Sequence, residues 1–276
     1  MLGFFLQMGF KTREGSFMKS GSNVFSSLCR GDGWKRLTLV FLYACAMGLL
    51  EAICVIYLRR LILPEGVGAG HAPLRLGRHV ELIREASTIV MLVTVAWLAG
   101  KSVRSRLAAF FVMFGVWDIL YYAGLKGLAH WPSAWSTWDC LFLIPKPWYG
   151  PVLAPVLISA FFVLICGLMF LYEETGRKIR LSAFSWGLQA VGLGIWYWSF
   201  VKDTGTILAH GYKGVVYSWP LFACGLACCA VGFVLAARRL FALQPGAVEC
   251  AEPVETGGFG AEDVLSETDG NRTGGE

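Results

Sequence analysis

The chain has 276 residues, of which 56% are hydrophobic and 16% charged, and its net charge is +5. A soluble domain carries about 25% charged residues, and here eight of the 19 acids lie from Gln244 onward, so the rest of the chain is poorer still. With a mean hydropathy of +0.57, this composition excludes an ordinary water-facing enzyme fold and points to an all-α, polytopic membrane protein.

In chain order, Met1 to Phe10 is apolar but short, and its basic residues follow it, the reverse of a secretory signal. It reads as an interfacial stretch or as a start assigned too early, with Met8 and Met18 as alternative initiators, and residues 1–36 are expected to form a cytoplasmic segment. Crossing roughly 30 Å of hydrocarbon takes about 20 apolar residues. Six runs approach that length within a bundle spanning 37–240: 37–60, 86–100, 107–126, 151–172, 182–201 and 215–237. The second is short, and spans either by recruiting Leu82 and Ile83 or by sitting in a thin region of bilayer. The last part, 241–276, is acidic and rich in Gly, Ser and Thr, a composition expected to be disordered.

Between the third and fourth runs lie Trp131, Trp135, Trp138 and Trp148, with Pro132, Pro145, Pro147 and Pro151. Amphipathic indoles favour the headgroup level, so this Trp/Pro-rich outer loop is expected to lie along the membrane or to dip into it as a partly re-entrant cap. Small residues four apart, at Ala183 and Gly187, Ala190 and Gly194, and Gly225 and Cys229, predict tight packing of the last two spans. Of the nine cysteines, six fall inside spans, where Cys acts as a small hydrophobe.

The excess of Lys and Arg marks the cytoplasmic side. Lys101, Arg104, Arg106, Arg177, Lys178, Arg180, Arg238 and Arg239 fall in alternate connections, and the amino-terminal segment adds six more basic residues, placing both termini in the cytoplasm. Before Gln244, 23 basic residues face 11 acids. That surplus is a topology and anionic-lipid signal rather than a nucleic-acid surface. The expected partners are the lipid bilayer and subunits of a membrane complex.

Charges inside apolar runs carry the most information, because each costs about 2.5–3.5 kcal/mol at the bilayer centre. Glu51 lies in the first run and Asp118 in the third; Glu81, Arg84 and Glu85 stand at the start of the second, and Asp139 lies in the Trp-rich loop. With Arg59, and with Tyr57, Tyr121 and Tyr122 as hydroxyl donors, they are expected to converge near the outer leaflet. His71, His79, His130 and His210 fall on the same side. Three readings stay open: pairing that fixes helix register, a proton or ion path through Glu51 and Asp118, and a metal site with His79, Glu85 and Asp118 as weak ligand candidates. The spacing is not that of a di-iron helix bundle. No phosphate loop, nucleophile elbow or His-Glu-x-x-His pair is present, no cofactor is assigned, and whether the chain is an enzyme stays open.

The strings FGVWDILYY at 114–122, WPSAWSTWDCLFLIPKPWYGPVLAPV from Trp131, EAICVIYLRR at 51–60 and ELIREASTIVML at 81–92 resemble a family of multi-spanning bacterial membrane proteins of uncharacterised function. The resemblance covers about residues 45–160 and implies a bacterial inner membrane, with no activity attached. Glu51, Arg59, Glu81, Arg84, Glu85, Asp118 and Asp139 all belong to these strings; the histidines lie outside the pattern. The resulting expectation is a ligand- or partner-binding accessory membrane component. The alternatives are a proton- or ion-coupled transport protein and a membrane-embedded metal-dependent enzyme acting on a lipid or quinone.

Overall fold

A computed structural model describes residues 32–62, 75–176 and 182–242; the expectations for 1–31 and for the acidic tail from 243 lie outside the described residues. The elements are α1 (Asp32–Ile62), α2 (Arg75–Ala99), α3 (Val103–Ala129), β1 (Trp138–Phe142), β2 (Trp148–Pro151), α4 (Leu153–Glu174), α5 (Ala183–Val201), the short α6 (Thr204–His210) and α7 (Trp219–Ala242). The second apolar run does recruit Leu82 and Ile83, since α2 starts at Arg75. Ser102 begins α3 with a reciprocal capping box to Ser105, and His130 ends it in the left-handed region at φ 55°.

Among the described residues five helices, α1 to α4 and α7, are long and apolar enough to cross a membrane, one fewer than the sequence suggested. The exception is α5, which bears no charge but whose Trp186, Gln189, Trp196, Tyr197 and Trp198 lower its hydropathy. It packs along α7 from the hairpin end inward. Tyr197 and Phe200, near its end, touch Trp148 of β2, whereas Gln189, nearer its start, donates to the carbonyl of Cys229 well along α7.

At the centre stands α3, with half of its apolar window buried against 22% for α2. Two glycines set its crossings. A β-carbon on Gly48 of α1 would lie 2.7 Å from the carbonyl of Trp117, and one on Gly115 of α3 would lie 2.5 Å from that of Ser159 in α4. The backbones therefore approach as closely as small-residue contacts in membranes allow. The core between them is formed by Ala44, Leu92, Val112, Met113, Val116, Ile158 and Phe170.

The close packing of α5 on α7 is as expected, but two of the three expected pairs are not at the contact: Ala183, Gly187, Ala190 and Gly194 are exposed. The buried stripe is Ser185, Gly192, Trp196 and Ser199, facing Gly225, Cys229 and Gly232. A β-carbon on Gly192 would collide with Cys229 Sγ and lie 2.8 Å from the carbonyl of Gly225. Gly192→Val is therefore expected to cost about 1–3 kcal/mol, read as a lower melting temperature in detergent, with Gly194→Val, which meets open space, as the unaffected control.

The loop expected to be irregular is an antiparallel hairpin, so the fold is mainly rather than wholly α. Trp138 stands opposite Pro151, Asp139 opposite Gly150 and Cys140 opposite Tyr149. Pairing is what lets non-helical backbone sit against membrane-spanning helices, since its N–H and C=O groups find no water in hydrocarbon. Of the loop's indoles, Trp135 is 62% exposed. Trp138 packs between Tyr212 and Tyr217, and Trp148 stacks on Phe200.

At the end away from the hairpin, a second set of charges binds four helix ends together. Arg36 reaches the carbonyl of Ala99 at 3.2 Å and Glu174 at 3.4 Å. Lys101 also reaches Glu174, and Ser102 and Arg104 reach Glu173.

Candidate functional site: the polar cluster at the hairpin end

Glu51 is carried inward by the α1–α3 crossing one turn after Gly48 and is 7% exposed. Arg84 of α2 forms ion pairs with Glu51 and with Glu81, the latter at 2.6 Å. Thr88, one turn on and buried, donates to Glu51 at 3.5 Å and to the carbonyl of Arg84 at 3.0 Å. One guanidinium thus holds two carboxylates and ties α2 to α1, a bond for which its planar fork of donors is suited.

Two turns after Glu51, Arg59 reaches Asp139 of β1 at 3.4 Å, and Tyr122 of α3 donates to the other carboxylate oxygen at 3.2 Å. The guanidinium also stacks on Trp131, 4.6 Å from the ring centroid. Asp139 is 4% exposed. Burial pushes its carboxyl above the usual carboxylate range, while Arg59, the Tyr122 hydroxyl and the N–H of Cys140 pull it down. The adjacent Cys140 thiol is also pushed up, first by burial and then by Asp139 and Glu85.

Glu85 faces the tip of the hairpin. The backbone N–H of Leu143 donates to both of its oxygens, at 3.1 and 2.9 Å, and that of Ile144 lies close enough to favour the carboxylate. These amides follow β1 and have left its ladder, so the acid supplies the acceptor that the strand does not. Asp118 faces α4, where Ser159 donates to it at 2.8 Å. The Gly115–Ser159 crossing, one turn earlier, sets that distance.

Of the ten residues expected to converge, nine share this end of the molecule, in two ion-pair groups and two separate carboxylates. Tyr121 links the groups, lying within electrostatic reach of Asp139, Arg59, Arg84 and Glu81. Tyr57 does not join, being 63% exposed. The weak metal candidates stay apart: Glu85 is taken by the hairpin, Asp118 by Ser159, and His79 is exposed. Among the described residues no group of three or more His, Cys, Asp or Glu could hold a metal ion. His130 and His210 are exposed, and His71 lies outside the described residues.

Just beyond Glu85 along α2, a pocket of about 400 Å³ opens between α2, α3 and the hairpin, lined by Ala86, Ile89, Phe114, Phe142, Ile144 and Trp148. No residue in that wall is charged. Comparison with family models, curated proteins and solved structures returned no match for this chain.

Reading the sequence missed Thr88, Ser159 and Trp131 as partners of the charges, and Glu173 and Glu174 altogether. Thr88 and Ser159 look like ordinary small residues of a span. Glu173 and Glu174, followed by Arg177 and Lys178, look like the start of a loop, yet their side chains are 3% and 2% exposed.

Proposed function

We propose that the chain is a six-span protein of the bacterial inner membrane with both termini cytoplasmic, and that the hairpin end is a preorganised surface that binds a ligand or partner as an accessory component of a membrane complex. Support for the sixth crossing comes from the packing of α5 along α7. The inside assignment rests on Lys35, Arg36, Lys101, Arg104 and Arg106 at the end away from the hairpin, and the bacterial membrane on the resemblance over 45–160.

The observation that carries the binding role is that all five acids of the cluster are engaged by the chain itself. Arg84 holds Glu51 and Glu81, the hairpin amides hold Glu85, Ser159 holds Asp118, and Arg59 with Tyr122 holds Asp139. Such an arrangement fixes a surface. Its exposed rim includes Trp135, Leu208 and Val216, side chains of the kind that anchor interfaces. The test is purification in mild detergent of the wild type and of a Trp135→Glu variant. One membrane component held at fixed stoichiometry by the wild type and lost from the folded variant supports the reading, and equal recovery from both rejects it.

One observation favours proton coupling as a second reading. Asp118 lies inside a span with a hydroxyl rather than a cation as its partner, and its charged neighbour is Asp139. Proton flux into liposomes that is abolished by Asp118→Asn in a folded protein would establish it; equal flux in both would remove it.

A further inference from the structure

We propose that the pocket between α2, α3 and the hairpin holds a hydrocarbon chain, the acyl chain of a phospholipid from the adjoining leaflet. Its location supplies the first argument. Ala86 and Ile89 stand midway along α2 and Phe114 near the middle of α3, so the pocket lies at hydrocarbon depth. Ala86 and Ile144 are exposed at its mouth, and Ile83, Val90 and Val93 of the same helix are exposed beside it. The medium at that opening is lipid.

The lining supplies the second argument. Ala86, Ile89, Phe114, Phe142, Ile144 and Trp148 present no charged group, so water entering would lack the two to four polar partners that it needs. The groove is open on one side, and its volume of about 400 Å³ lies within the range of small-molecule sites.

Rigidity of the walls is the third. Glu85 pins the hairpin tip through Leu143 and Ile144. Phe200 stacks behind Trp148 at 6.2 Å and Tyr197 meets it edge-on at 5.2 Å. Phe142 is wedged between Trp148, Trp117 and Phe114. The hairpin therefore cannot fold down to fill the space without breaking these contacts. A chain inserted sideways fills it, with its polar head left one to two turns along α2, level with the partly exposed Arg84 and Glu81.

Photolabelling tests the site independently of what the charged cluster binds. The full chain is reconstituted in liposomes containing phosphatidylethanolamine with a diazirine on one acyl chain, irradiated, and digested for mass spectrometry. Labels are expected to concentrate on 86–89 and 142–148. Ala86→Trp, which fills the mouth, is expected to remove them while labels on α7 persist. Ile89→Trp serves if Ala86→Trp does not fold, and Leu98→Trp, 79% exposed and on the far face of the same helix from Ile89, is expected to leave the pattern unchanged. Labelling spread evenly over all lipid-facing helices, or unaltered in a folded Ala86→Trp protein, overturns the proposal.

Discussion

Arg84→Ala is expected to be the most damaging single change at the hairpin end. It removes the one cation that holds both Glu51 and Glu81, leaving two carboxylates in a membrane-embedded contact. Stripping the partner from a fully buried charge costs about 3–5 kcal/mol; with Glu51 buried but Arg84 and Glu81 partly exposed, about 2–3 kcal/mol is expected, still a large fraction of the roughly 5–15 kcal/mol that holds a typical domain folded. The measurement is thermal unfolding in detergent followed by size-exclusion chromatography, with a sharp fall in melting temperature or loss of the monodisperse peak expected. Adding Glu51→Gln and Glu81→Gln removes the stranded charges, so the triple variant is expected to recover most of the loss. A single variant as stable as the wild type would show that the triad bears no weight.

Removing the Glu85 carboxylate in Glu85→Ala is expected to free the hairpin tip while sparing the helices. The N–H of Leu143 loses its acceptor, at a cost of about 1 kcal/mol for a partly buried donor. Amide exchange at 143–144 should accelerate. Cys140 offers a second readout: its thiol is held up and slow to ionise by burial, and the thiolate is the reactive form. Maleimide labelling of Cys140 is therefore expected to be slow in the wild type and faster in Glu85→Ala. Glu85→Gln keeps an acceptor oxygen and should fall between the two. Unchanged exchange at Leu143 in Glu85→Ala would refute the latch.

Much of this was legible in the sequence because hydrocarbon penalises charge so heavily. Glu51, Arg84 and Asp139 stand out against apolar neighbours, and a residue that is costly wherever it faces lipid must turn inward, so an inward-facing position for each followed. What each one meets did not follow. Glu85 and Asp118 look alike in the sequence, yet one binds backbone amides and the other a serine hydroxyl, because partner choice depends on crossings set by Gly48 and Gly115. The hairpin was hidden for a similar reason: its strands are short, interrupted by proline, and read as loop until the ladder between Trp138 and Pro151 is seen. Trp-rich composition suggested headgroup anchoring, but aromatic stacking of Trp148 and Trp138 on rings from α5 and the segment before α7 prevailed. Mean hydropathy also underrates α5, since indole and phenol rings score poorly although they pack well.

The way Trp148 leans on Phe200 and Tyr197 has a consequence for biosynthesis. The ribosome delivers the hairpin, with Glu85 and Arg59 already synthesised, before the rings that brace its rear face exist. Until α5 is made, that face of the nascent protein has nothing to lean on, which makes the interval after residue 151 the stage at which a chaperone would have something to hold.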